Sequence, residues 1–219
     1  MRNSPPGHSN RWAGVTRLSA VPKLVDHAQR RAELLAAACR VVRLRGIEGT
    51  TTRAIADEAG CSLSVLAHFL GGKDDILVAA QQAVSDRLVE RAVRTGGDRV
   101  GLDALGAVLY AVLPLDEERA ADAQVSTAFA GAALSHPRLA EGRRAAHQSI
   151  RDHLRVRLRE ARERGELRPG VSDEDAIDEF IVLVEGSTLL TLVEGRGEGL
   201  ARLAAAFLDH LRHPAPVGS

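Results

Sequence analysis

Residues 51–69 run TTRAIADEAGCSLSVLAHF, two short apolar periodicities meeting at one glycine. Thr51 is a side chain that caps a helix start, and the helix it opens runs to about Ala59. Gly60 supplies the positive φ that a tight turn needs. Ser62 caps a second short helix, which ends at Gly71-Gly72. With Thr52 as its first position, the stretch fits the 20-residue helix-turn-helix frame over residues 52–71. Two helices crossing steeply need a small residue at the contact, and Ala56 is there. The inward positions Ile55, Ala59, Cys61, Leu66 and Phe69 are all apolar. A helical hairpin inside an ordinary bundle would satisfy the same periodicity, so the motif has to be weighed with its surroundings.

Outward from the motif, the chain reads as helix throughout. Leu34, Leu35, Ala38, Val41 and Val42 recur at spacings of three and four from about Asp26, and Gly46 stops that helix. Lys73 opens a longer one, through Ile76, Leu77, Ala80, Val84 and Leu88 to about Thr95, before Gly96-Gly97. Four more helices follow, over 102–113, 116–134, 138–164 and 173–194, and a last one covers 200–211. Ser172-Asp173-Glu174-Asp175 is a capping-box-like start. No segment reads as a strand, giving an all-α chain of about nine helices. Residues 1–25, with Pro5, Pro6, Gly7 and Pro22, are expected to form a disordered arm, and 213–219 a disordered tail. The expected division is a head over 26–72, a connecting helix over 73–95 and a body over 96–212.

Composition narrows the function classes. The chain has 219 residues, 45% hydrophobic, 26% charged and only 3% aromatic, which suits a helical globular protein. No apolar run approaches about 18 residues, and the N-terminus has no apolar signal core, so a cytoplasmic protein without a membrane partner is expected. Formal net charge is zero. It is unevenly spread: residues 1–95 hold 14 Lys and Arg against 9 Asp and Glu, and the remainder 15 against 20. A basic head on an acidic body suits a polyanion-binding protein. Cys39 and Cys61 read as small core residues rather than a redox pair, and no CxxC is present. The histidines show no HExxH, and no GxSxG, Walker loop or dinucleotide fingerprint occurs. Catalytic residues, metal ligands and cofactors are therefore not expected. Arg151, Arg155, Arg159 and Arg162 read as a solvated helix face paired locally with Glu160 and Glu163.

From Ala32 to Leu77, with GIEGTTTRAIADEAGCS and HFLGGKDDIL, the sequence resembles the N-terminal domain of TetR-family transcriptional regulators. The segments SHPRLAEG, ARERGELRPGVSDEDA and LVEGSTLL resemble the family's BetI-type C-terminal domain more loosely. The resemblance implies a helix-turn-helix head whose second helix, about Leu63–Phe69, enters the major groove. It implies backbone contacts from Thr51, Thr52, Arg53, His68 and Lys73. Base-facing positions would be Ser62, Leu63, Ser64, Val65 and Ala67. This sequence departs from the family there, since Lys is frequent at the Leu63 position, Gly or Ala at Ser64, Thr at Val65 and Tyr at Ala67. Readout is then expected to lean on thymine methyl contacts and DNA shape.

For the body, the expectation is a homodimer built on the last two long helices. Phe180, Ile181, Val184, Leu189 and Leu192 offer more apolar surface than one helix side buries, and Gly186 and Ser187 allow close approach. Two-fold pairing predicts a near-palindromic operator read at centres about 34–36 Å apart. Tyr110, Gln124, Thr127, Phe129, His147 and Thr188 interrupt apolar faces. They are candidate walls of a pocket for a small, mostly apolar effector, or equally ordinary core and surface residues. Gly96-Gly97 is a candidate hinge. The expected function is a repressor released from its operator by that effector. The alternative is an architectural or division-control DNA-binding protein of the same fold without an inducer.

Overall fold

The computed structural model describes residues 22–195, 197 and 199–212. Among them lie nine helices: α1 (Pro22–Arg45), α2 (Thr52–Glu58), α3 (Leu63–Leu70), α4 (Lys73–Gly96), α5 (Gly101–Val112), α6 (Glu117–Ala133), α7 (Pro137–Glu163), α8 (Asp173–Glu194) and α9 (Leu200–Leu211). The described residues contain no strand, only an isolated bridge between Leu167 and Arg212. Local chemistry sets many of the boundaries. Thr51, Ser62, Asp116 and Ser172 each accept a backbone N–H from the first turn of the helix they precede, at 3.1, 3.3, 2.8 and 3.4 Å. Helix α1 starts four residues before the expected Asp26. Its first residue is Pro22, whose fixed φ and missing N–H suit a first turn. The rest of the expected arm, and the expected tail, lie outside the described residues.

Two apolar clusters hold the chain together. One joins α1, α2, α3 and the first half of α4, with Ile55, Leu66, Ile76 and Leu77 almost fully enclosed. Val125 and Phe129 of α6 and Leu139 of α7 belong to the same cluster. The second joins Ala92 of α4 to α5, α7, α8 and α9 around Leu109, Leu154, Leu158 and Phe180. Each fully buried Leu, Ile or Phe contributes roughly 1.5–3 kcal/mol. Helices α4 and α7 supply residues to both clusters, so a displacement of either helix is felt at both ends of the molecule.

Helix α5 starts differently. Val100 carries no capping group, so the free N–H groups of Gly101 and Leu102 are met by carboxylates from elsewhere. Glu160 on α7 accepts from Gly101 at 3.1 Å, and Glu166 just beyond α7 accepts from Leu102 at 2.8 Å. The end of α7 thereby fixes where the body's first helix begins.

Candidate nucleic-acid interface

The turn between α2 and α3 is closed by its backbone. Gly60 has φ +60°, and the N–H of Cys61 donates to the carbonyl of Ala56 at 3.0 Å. That turn lets Leu66 and Leu70 bury one side of α3. The other side carries Leu63, Ser64, Ala67 and His68, all exposed, with Val65 half-buried between them. These positions recur at i, i+1, i+4 and i+5, which is one helical face. At its N-terminus the hydroxyls of Ser62 and Ser64 lie 2.9 Å apart, while Ser62 also caps the helix. Leu63 remains 44% exposed, an apolar group offered outward from a polar rim.

The helices before and after α3 each carry an exposed cation in their first turn. Arg53 in the first turn of α2 and Lys73 at the first position of α4 are exposed, and neither makes an ion pair among the described residues. Thr51 is exposed but its hydroxyl is engaged as the α2 cap, and Thr52 is half-buried. Asp75 caps the start of α4 through Gly72 N–H at 3.2 Å. Its other oxygen accepts from Arg138 of α7 at 2.9 Å. The Arg138 guanidinium, and next the Gly72 N–H, hold the Asp75 carboxyl below the usual carboxylate range. Asp74 faces His136 at 3.6 Å. Both acids beside Lys73 thus have basic partners on the body.

One residue at this face carries no mark in the sequence. The His27 ring, near the start of α1, packs 4.6 Å from Phe69 and 6.5 Å from His68, and His68 and Phe69 meet edge to face at 5.3 Å. Three aromatic rings therefore tie α1 to the C-terminal half of α3. Cys39 is a core residue; burial pushes its thiol up, with Arg87 pulling the other way.

In the body, two of the six residues expected around a pocket, Phe129 and Tyr110, are engaged elsewhere in the fold. Phe129 is 1% exposed and belongs to the apolar cluster beneath α1 and α4, because α6 leans on the head. Tyr110 donates to the carbonyl of Ala201 at 3.2 Å and ties α5 to α9. Gln124 is exposed, Thr127 half-buried and Thr188 buried. His147 faces Glu185 of α8 at 3.4 Å. Sequence reasoning missed what surrounds it: Arg143 donates to Glu185 and, at 3.1 Å, to Ser126 of α6. Burial opposes ionisation of Glu185, but His147 and Arg143 outweigh it and keep the carboxyl below its ordinary range. An open cleft of about 330 Å³ lies elsewhere, between the α7–α8 connection and the end of α9, lined by Arg168, Ser172, Asp175, Glu179 and His210 among others.

The expected dimer residues also divide. Phe180 is 1% exposed and packs edge to face on Phe207 of its own chain, with centroids 6.2 Å apart. Ile181 and Val184 lean on the same internal cluster. Phe180 is therefore covered by its own chain, and Ile181 and Val184 are half-buried against the same cluster. The outward apolar stripe of α8 is Val182 (70% exposed), Leu189, Leu190 and Val193 (75% exposed), with Gly186 exposed on the same face and Leu192 half-buried.

Two family models match the chain in order along its length. Residues 34–80 match bacterial regulatory proteins of the tetR family, and residues 101–214 match the C-terminal domain of BetI-type transcriptional repressors. The HTH-type transcriptional regulator PksA of Bacillus subtilis (strain 168) is 28% identical over 195 residues, covering 87% of this chain and 92% of that protein. The HTH-type transcriptional regulator BetI of Burkholderia mallei (strain NCTC 10229) is 26% identical over 204 residues, covering 89% and 99%. A crystal structure of a transcriptional regulator from Rhodococcus sp. Rha1 superposes with a TM-score of 0.71 at 30% identity, covering 83% of this chain and 95% of its own. With a helix-turn-helix head and a BetI-type body in that order, the chain belongs to the TetR family of transcriptional regulators.

Proposed function

We propose that this regulator is a homodimeric repressor that holds a near-palindromic operator and leaves it when a small molecule occupies the body. The observation that carries the reading is the exposed face of α3 together with exposed Arg53 and Lys73 at the starts of α2 and α4, two cations that no acid pairs with among the described residues. Phosphates would fill that role. Lys73 opens a helix, so its charge and the free N–H groups of the first turn favour the same anion. Leu63, Val65 and Ala67 would meet thymine methyl groups, and Ser62 and Ser64 are the hydrogen-bonding members of the face.

The second copy would cover Val182, Leu189, Leu190 and Val193, the exposed apolar residues of α8. The effector would enter the body formed by α5–α8. A transcriptional regulator from Saccharomonospora viridis with the same fold, TM-score 0.74 at 18% identity, was crystallised in complex with choline, which supports a search for a small-molecule ligand here. No helix among the described residues is long and apolar enough to cross a membrane, and the proposed action on DNA supports a cytoplasmic location.

The test is selection of duplexes from a genomic pool by the purified protein, followed by light scattering of the free and bound forms. A near-palindrome bound by two copies is expected. Recovery of random fragments, or a stable monomer at micromolar concentration, would contradict the reading. A thermal-shift screen of metabolites then looks for the effector, since a ligand of the folded state raises the melting temperature.

A further inference from the structure

Lys73 is the first residue of α4, yet much of what holds that turn comes from α7, some 63 residues further along the chain. Asp75 divides its two oxygens between the Gly72 N–H (3.2 Å) and Arg138 of α7 (2.9 Å). Two turns further along α4, Gln81 is 6% exposed and donates to the carbonyl of Leu139 at 3.1 Å, while its own side-chain oxygen has no partner. Gly142 makes room for that amide: a Cβ there would stand 2.7 Å from Gln81 Oε1. Residues 138–142 of α7 thus grip residues 75–81 of α4, alongside the point where the first turn would meet DNA.

We infer that Arg138 and Gln81 are positioning residues for DNA binding, forming a clasp by which α7 sets the place and charge of the α4 start and thereby seats Lys73 on a phosphate. This rests on the proposed phosphate contact of Lys73. Without Arg138, the Asp75 carboxylate would stand uncompensated two residues from Lys73 and repel the phosphate that Lys73 holds. Without the Gln81 bond, α4 could slide on α7 while remaining packed. The same helix carries Arg143, five residues on, or about 7–8 Å along the axis. Arg143 reaches Ser126 of α6 and Glu185 of α8, so a rearrangement in the body moves the helix that holds the clasp.

The experiment is a double-mutant cycle on the full-length protein, using a duplex that the wild type selects from a random-sequence pool. Affinity and its salt slope are measured for wild type, Lys73→Ala, Arg138→Ala and the double variant. Arg138→Ala should weaken binding by roughly three- to ten-fold in the wild type and by less than about two-fold once Lys73 is gone. Equal losses in both backgrounds would mean that Arg138 acts without Lys73, and would overturn the clasp. So would a salt slope that falls by about one on removing Arg138 from the Lys73→Ala protein, because Arg138 would then touch a phosphate itself. Gly142→Ala repeats the test without changing charge, by pushing the Gln81 amide aside, and carries it alone if Arg138→Ala does not fold. Its loss of affinity should likewise vanish in the Lys73→Ala background. If Lys73→Ala alone changes neither affinity nor slope, the phosphate contact fails. If it changes both and the clasp variants add independently, only the clasp fails.

Discussion

In the head, Arg53 and Lys73 face outward with no acid in ion-pair reach among the described residues, whereas in the body the arginines of α7 reach across to α8. Arg143 meets Glu185, Arg151 meets Asp178, Arg155 meets Glu174 and Arg162 meets Asp173. This corrects the expectation of a solvated face paired within one helix; pairing within α7 is confined to contacts such as Arg155–Asp152 and Arg157–Glu160. Exposed pairs of this kind contribute about 0–1 kcal/mol each, so their role is to set the register of α7 on α8 rather than to stabilise the fold. Positive charge already matched by a neighbour gives little to a polyanion. Unmatched positive charge gives the entropy of released counterions. If Arg53 and Lys73 hold phosphates as proposed, the presence of a partner separates the cations that tie α7 to α8 from those that meet DNA.

The largest expected effects come from the two apolar clusters. Phe180→Ala should cost about 3–5 kcal/mol and Leu66→Ala about 2–5 kcal/mol, read from the urea midpoint. Because α4 and α7 contribute to both clusters, each variant should still unfold in one transition by circular dichroism and by tryptophan-independent probes alike. Separate transitions for head and body would break the picture of one shared framework.

Between the clusters lies a part-buried charge group. Asp122 of α6 accepts from Arg87 and Arg91 of α4, both at 2.8 Å, and its side chain and that of Arg91 are each 11% exposed. Asp122→Ala leaves the enclosed Arg91 guanidinium with Glu118 alone and with Arg87, which is 40% exposed, facing it. A loss of about 2–4 kcal/mol is expected, below the full cost of a deeply buried pair because Arg87 keeps solvent contact. Asp122→Ala within about 0.5 kcal/mol of wild type would show that the pair is solvated after all.

A smaller effect concerns pH. Glu160 is held below the usual carboxylate range first by the Gly101 N–H and then by Arg157. For Glu166, burial works in the opposite direction, but the Leu102 N–H and Arg164 outweigh it. A carboxyl depressed in the folded state stabilises above its unfolded pKa and loses that contribution as pH falls toward the folded value. Glu166→Gln should therefore lower the melting temperature above about pH 5, and the difference should shrink as pH falls through the folded value. A difference that persists unchanged to low pH would mean that packing, not charge, is at work.

Helix boundaries were legible because capping is local chemistry: Thr51, Ser62, Asp116 and Ser172 announce a first turn within four residues. The exposed face of α3 was legible for a related reason, since a short helix with Leu66 and Leu70 buried has its phase fixed. Helix α8 lacks such a marker. Phe180, Ile181 and Val184 make one apolar stripe and Val182, Leu189, Leu190 and Val193 another, and nothing in the sequence tells which faces inward. The body's polar contacts were hidden for a different reason. Gln81 and Leu139, or Arg143 and Glu185, meet only through tertiary packing across 58 and 42 residues of chain. Residue type alone marked His147 but not the Glu185 it faces, and it placed Phe129 in the body although the fold puts it under the head.

The contrast between matched and unmatched charge is tested most directly by the salt dependence of operator binding in three single variants. Lys73→Ala and Arg53→Ala should each weaken binding across sequences and lower the slope of log affinity against log salt by roughly one. Arg155→Ala, whose guanidinium is matched by Glu174 and Asp152, should leave affinity and slope unchanged. A slope that falls for Arg155→Ala and holds for Lys73→Ala would place the DNA on the body and contradict the account.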